Sequence, residues 1–247
     1  MDRMDYFLEV YGTLPRAGPG ADVWTRKAYS LMVDGLTDAP RILDLGCGPG
    51  MQTLELLRCG ADMVVALDLF PQMLRRVEQA AAGAGLSDRV ETMQADMTTV
   101  TFSPGSFDII WSEGAIYFLG FAAGLARIKD WLKSGGYVAV SEPVWLTLDP
   151  PQEAIDFWKE YPEIDTIERK LEVIDKAGYT SVGHFVLPAS AWTDQYYDPM
   201  VERIEQCAAK WKGVEDAEAV LEEARTEIAI FGRCAAHFSY CFFVMRK

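Results

Sequence analysis

A doubly wound α/β fold is predicted for this chain: a mostly parallel sheet of seven strands with helices on both faces. Three features predict it. Short apolar runs alternate with helical patterns between residues 41 and 141, as a parallel sheet covered on both sides requires. A glycine-rich turn, Gly46-Cys47-Gly48-Pro49-Gly50, joins the first of these runs to the helix that follows it. Such sheets take nucleotide-like ligands there. The 247 residues, 50% of them hydrophobic, suit one large domain.

Residues 1–38 read as an N-terminal helical cap. Val23, Trp24, Ala28, Leu31, Met32 and Gly35 recur at three- and four-residue intervals and give one apolar face. Arg16-Ala17-Gly18-Pro19-Gly20 forms a rigid turn before them. Residues 39–145 form the ligand-binding half. Strands are expected at 41–45, 63–67, 89–94, 107–111 and 137–141, and helices at 51–58 and 121–132. Pro71 opens a further helix, where its missing N–H costs nothing. Gly135-Gly136 ends the 121–132 helix. Residues 146–247 form the substrate-side half. It has a helix at 165–176, strands at 182–187 and 238–245, and a long helical insertion at 198–231 expected to act as a lid. The acid-rich stretch 215–227 reads as a solvated helix face. No repeat or flexible linker interrupts residues 1–247, so a single domain is expected.

Composition narrows the function. With 23 basic against 37 acidic residues the net charge is −14. Nucleic-acid binders need a basic footprint to displace counterions from phosphates, so a nucleic-acid partner is not expected. An acidic surface suits a neutral or cationic small molecule. Cys47, Cys59, Cys207, Cys234 and Cys241 show no CxxC pair, and His184 and His237 add no zinc spacing. Reduced thiols, no metal and a cytoplasmic location are expected. The charged residues Asp2, Arg3, Asp5 and Glu9 argue against a signal peptide, and no apolar run is long enough for a membrane helix. A monomer and a homodimer are equally compatible with the aromatic-rich cap.

The chemistry gathers at strand ends. Glycines in the first turn let a ligand approach the backbone, and the helix behind them offers unpaired N–H groups. Asp68 ends the second strand, where an acid can accept both ribose hydroxyls. Asp44 stands two residues before Gly46, where dinucleotide-binding turns carry an apolar residue. Asp96-Met97 follows the third strand, and Leu132-Lys133-Ser134-Gly135-Gly136 introduces the fifth. In order and spacing these resemble the motifs of class I S-adenosylmethionine-dependent methyltransferases, which are Rossmann-like enzymes. The resemblance covers residues 40–145. It implies S-adenosylmethionine as cofactor, held by Asp44, Gly46, Gly48, Gln52, Thr53, Asp68, Leu69, Asp96, Met97, Trp111 and Glu113. Further segments are similar to a small group of bacterial methyltransferases: the Arg16–Gly20 turn with Thr25-Arg26-Lys27, Trp111 to Tyr117, Ser141-Glu142, Tyr161-Pro162-Glu163-Ile164, and Leu187-Pro188 with Trp192-Thr193. This closer resemblance implies contacts from Gly18 and Lys27, folded over the methionine end of the cofactor. It leaves the acceptor open.

Methyl transfer from a sulfonium needs alignment above all, and a general base only if the acceptor must lose a proton. The acceptor is expected beyond the fourth and fifth strands. Glu113, Tyr117 and Glu142 are the candidate catalytic residues there. Tyr117, Trp145, His184 and Trp192 are the candidate substrate contacts. Two carboxylates among aromatic rings suit a cationic amine. The competing structural roles are plain: the glutamates pair with an arginine or backbone amides and hold loops, His184 is a strand residue, and Trp192 packs the cap. Besides an enzyme that uses the same cofactor to transfer something other than methyl, two other functions stay open at this point. One is a regulatory protein that binds the cofactor without turnover. The other is a nicotinamide-dependent oxidoreductase, whose glycine pattern Met51 breaks.

Overall fold

The structure is a computed structural model describing residues 1–32 and 35–247. The helical reading at residues 33–34 lies outside the described residues. The described residues form ten α-helices and eight strands. The cap holds α1 (Arg3–Val10) and α2 (Asp22–Tyr29). Asp2 starts α1 through a capping box, accepting from Asp5 N while Asp5 accepts from Asp2 N. Then follow β1 (Arg41–Leu45), α3 (Met51–Cys59), β2 (Met63–Asp68), α4 (Pro71–Gly83), β3 (Val90–Gln94), β4 (Phe107–Glu113), α5 (Phe121–Ile128) and β5 (Leu132–Trp145). The second half has α6 (Gln152–Phe157), β6 (Asp165–Thr166), α7 (Ile167–Lys176), β7 (Thr180–Val186), α8 (Ser190–Trp192), α9 (Asp198–Lys210), α10 (Glu215–Cys234) and β8 (Phe238–Arg246).

The sheet runs β3-β2-β1-β4-β5-β8-β7, with the short β6 also pairing β5. Strands β1 to β5 are parallel, and β8 lies antiparallel between β5 and β7. This is the expected doubly wound sheet. The predicted alternation of faces follows from the two-residue period of a strand. Ile42, Val64 and Ile109 face the core under α1, α3, α9 and α10. Leu43, Val65 and Ile110 face the core under α5 and α7.

Two expectations shift. The helix expected over 121–132 ends at Ile128. Residues 130–132 turn their backbone to the sheet instead: Gly105 N and Phe107 N donate to Asp130 O and Trp131 O, and Leu132 pairs with Phe107. Trp131 and Leu132 are buried in either arrangement, so apolar spacing alone could not locate the break. The insertion at 198–231 is two helices, α9 and α10, separated at Gly213 (φ 81°). Their apolar faces, Met200, Ile204 and Cys207 with Val220, Leu221 and Ala224, join the core beneath the cap. The segment expected as a lid packs against the core in this structure. Among the described residues no helix is long and apolar enough to cross a membrane.

Candidate functional site

A cavity of about 550 Å³ opens at the carboxyl ends of β1, β2 and β4, under the cap. Its floor is the turn after β1. Gly46 N and Cys47 N both donate to Leu67 O at 2.9 Å, which ties the turn to β2. Gly46 has φ 77°, and a Cβ there would stand 2.5 Å from the Ala115 Cβ and 3.0 Å from the Met97 Cε. Only glycine fits. Gly18, Gly46, Gly48, Gln52, Asp68, Leu69, Asp96, Met97, Glu113 and Tyr117 all line this cavity. The structure thus brings together these ten residues singled out from sequence.

Asp68 is prearranged by backbone donors. Its Oδ2 accepts from Gly48 N at 2.8 Å and its Oδ1 from Phe70 N at 3.0 Å. Burial raises its carboxyl, against those backbone hydrogen bonds. Asp96 sits at the exposed rim and accepts from the Thr98 N and Oγ1 at 2.8 and 2.7 Å, which lowers its carboxyl.

Asp44 does not reach the cavity. It is fully buried behind the turn, accepting from Thr53 Oγ1 at 2.5 Å and Gln52 Nε2 at 3.4 Å. Gln52 also donates to Cys47 O at 2.8 Å. Asp44 and Thr53 therefore act through Gln52 and the turn. Burial pushes the Asp44 carboxyl up to about 7, against the Thr53 hydrogen bond and with the Glu113 charge adding to the rise. The native state then holds a proton that the unfolded chain, near its ordinary value of about 3.9, releases. The stability this supplies is complete below about pH 4 and is lost as pH rises through about 7. Asp44→Asn is expected to gain on the wild type between about pH 5 and about pH 8 in urea unfolding. A stability difference that does not change with pH would show Asp44 ionised throughout.

Glu113 is a junction. Its Oε1 accepts from Thr25 Oγ1 at 2.7 Å and Trp111 Nε1 at 2.9 Å, and its Oε2 from Arg16 Nη1 at 3.1 Å. Arg16 is buried, and it also donates to Asp22 at 2.7 Å and Gln195 at 3.2 Å. The cap is thereby pinned to the end of β4. Glu113, expected as a catalytic and cofactor-binding residue, thus lines the cavity with both oxygens accepting hydrogen bonds, one of them from an arginine.

Glu142, also expected as catalytic, does not line the cavity. It is fully buried, with Oε1 accepting from Lys170 Nζ at 2.7 Å and from the Tyr161 hydroxyl. Burial raises its carboxyl, against Lys170 and Tyr161. Tyr117, in the turn after β4, packs its ring 5.6 Å from Tyr161, so this ion pair stands behind the cavity wall.

Five more residues lie elsewhere. Lys27 points away on the opposite face of α2 from Thr25, its Nζ 4.1 Å from the Phe185 ring of β7. Trp111 is buried beside Phe242 and reaches the site only through Glu113. Trp145 lines a separate, open depression with Trp158 and Pro162. His184 is exposed on the edge strand β7. Trp192 is buried in the cap core, donating to Ser239 Oγ at 3.0 Å and stacked 4.7 Å from Phe231. No group of three metal-ligating side chains occurs among the described residues.

Sequence reasoning missed Arg16 and Thr25 as site-builders, though both lie in segments it singled out. It also missed Tyr11, which lines the cavity and donates to Glu227 Oε2 at 3.2 Å. Nothing local marks that pairing, which spans 216 residues of chain.

Comparison with known proteins agrees with this geometry. The methyltransferase-domain family matches residues 42–136. The trans-aconitate 2-methyltransferase of an Azoarcus species is 32% identical over 213 residues, 83% of this chain and 75% of that protein. Phosphoethanolamine N-methyltransferase 1 of Arabidopsis thaliana is 30% identical over 149 residues, 60% of this chain and 30% of that one. The matches to the first four curated relatives span only 21% to 31% of their own lengths. In fold, the chain superposes on an S-adenosylmethionine-dependent methyltransferase from Geobacter sulfurreducens with a TM-score of 0.85, covering 98% of this chain and 97% of that one at 17% identity. The chain belongs to the class I S-adenosylmethionine-dependent methyltransferases.

Proposed function

We propose that the cavity above the glycine turn binds S-adenosylmethionine and that the methyl acceptor is a small organic molecule, an amine by class. The observation that carries the cofactor reading is the Asp68 carboxylate. Two backbone donors fix it, and a carboxylate has about four acceptor sites, so it retains capacity for a pair of ribose hydroxyls. The residues around it fit the rest of the group. Asp96 spends Oδ1 on Thr98 and keeps Oδ2 for an amino donor. Leu69, Phe70 and Met73 offer an apolar wall for a base. The bound cofactor supplies a methyl group already activated by the sulfonium charge.

What the chain contributes is alignment and exclusion of water. Arg16, Thr25 and Trp111 lock Glu113, and with it the cap that closes the site. Tyr117 presents its ring to the acceptor side, and burial raises its phenol so that it stays protonated. An amine reacts through its lone pair as the neutral form, so an acceptor that arrives as ammonium first gives its proton to water, and no strong base is required. The net charge of −14 favours approach of a cation, and one relative is named for N-methylation.

Calorimetric titration with S-adenosylmethionine, S-adenosylhomocysteine and NADH tests the reading. Binding of the two sulfur compounds in the micromolar range, with none of NADH, is expected. Binding of NADH alone, or of none of the three, overturns it.

A further inference from the structure

Glu227 differs from the other glutamates withdrawn into the protein. Glu55 faces Arg26 and Arg58, Glu113 faces Arg16, and Glu142 faces Lys170. Among the described residues no lysine, arginine or histidine lies within ion-pair distance of Glu227. Its carboxylate accepts from three phenols instead: Tyr196 at 3.0 Å and Tyr197 at 3.1 Å on Oε1, and Tyr11 at 3.2 Å on Oε2.

Tyr11 brings this cluster to the cavity, with Glu227, Tyr196 and Tyr197 behind it. Tyr11 and Tyr117 both line the cavity. Burial raises the Tyr117 phenol, and the Glu227 charge adds to the rise. Tyr240, which also feels Glu227, lies directly behind the lining residue Gly114, where a Cβ would stand 3.0 Å from its ring. Helix α10 turns Glu218, Glu222 and Glu223 to solvent and Glu227 inward. A half-buried carboxylate without a countercharge still carries a desolvation cost, and phenol dipoles offset part of it. A cation would complete the compensation, and surrounding aromatic rings add their own attraction for it.

We propose that Glu227 and its tyrosines form the recognition site for a cationic nitrogen of the methyl acceptor, so that the acceptor is a small ammonium compound. This rests on the methyltransferase reading above. The bland alternative is that Glu227 merely latches the cap to α10.

The test uses two pairs of probes that differ in charge and little in shape: choline with 3,3-dimethylbutan-1-ol, and n-hexylamine with hexan-1-ol. Each is titrated into protein saturated with S-adenosylhomocysteine. At least one ammonium compound is expected to bind the wild type tenfold or more tightly than its neutral partner. That preference should vanish in Glu227→Gln and persist in Glu222→Gln, which removes an exposed charge from the same helix. No preference in the wild type overturns the proposal, as does a preference that survives in Glu227→Gln or falls equally in Glu222→Gln. If Glu227→Gln does not fold, Tyr196→Phe decides: it keeps the charge and removes one competing donor. The ammonium preference should then hold or increase, and its loss overturns the proposal. Affinity for S-adenosylhomocysteine, measured first, separates the two readings. Wild type that does not bind it overturns the methyltransferase reading itself. Wild type that binds it but shows no preference depending on Glu227 overturns only the ammonium site.

Discussion

Asp68→Ala is expected to weaken S-adenosylhomocysteine binding at least about a hundredfold. Hydrogen bonds to a charged group contribute about 1.5–3 kcal/mol each, and the proposed diol makes two. The alanine also strands Gly48 N and Phe70 N, the two donors that Asp68 now satisfies. The glycine turn would lose one of its ties to the end of β2, the Gly48 bond, as well as its ligand contact. Isothermal titration of wild type, Asp68→Ala and Asp68→Asn reads this directly. Asparagine keeps one acceptor oxygen and should fall between the other two. A loss below about tenfold in the alanine variant would remove Asp68 from the binding site, because an ordinary neutral hydrogen bond contributes that much.

Lys170→Met carries the largest expected effect on stability. Lys170 and Glu142 are 2% and 0% exposed, and their 2.7 Å ion pair lies under the Phe121 and Tyr161 rings. Glu142 Oε2 already lacks a partner. Removing the cation leaves a buried carboxylate with the Tyr161 hydroxyl alone. Breaking a buried pair from one side costs about 3–5 kcal/mol. For a chain of this size that is a fall of about 6–20 °C in melting temperature. The double variant Lys170→Met/Glu142→Leu should recover most of the loss, since replacing both partners with apolar groups is often neutral. Thermal unfolding of the three proteins gives the answer. A fall of less than about 3 °C in the single variant would mean that Glu142 is held protonated and that the pair carries little charge. Glu142 would then be free of the structural duty that its geometry assigns.

Both predictions concern acids found in the sequence, and they part company in how well the sequence placed them. Asp68 was legible because its role follows from its neighbours. It ends an apolar strand and follows a glycine turn, and a strand end in a parallel sheet has a fixed relation to the next turn. Glu142 was equally visible at the end of a strand, yet it faces Lys170 on α7 and not the cavity. The two-residue period of a strand says which residues share a face and leaves open what will cover that face.

The sequence by itself determined the sheet, the glycine cradle and the acids at its edge. These rest on local rules: apolar runs buried on both faces, and a positive φ at Gly46 beside a close wall. Only the tertiary structure decided which carboxylates have cationic partners. Arg16 meets Glu113 across 97 residues and Tyr11 meets Glu227 across 216. The sequence reading treated the stretch around Glu227 as a solvated face, and for Glu218, Glu222 and Glu223 it is one. Glu227 turns inward because α10 packs against α1, and that docking is set by the whole core. An acid's chemistry depends on the charge a few ångströms away, and the chain's spacing does not specify that neighbour until the fold has closed.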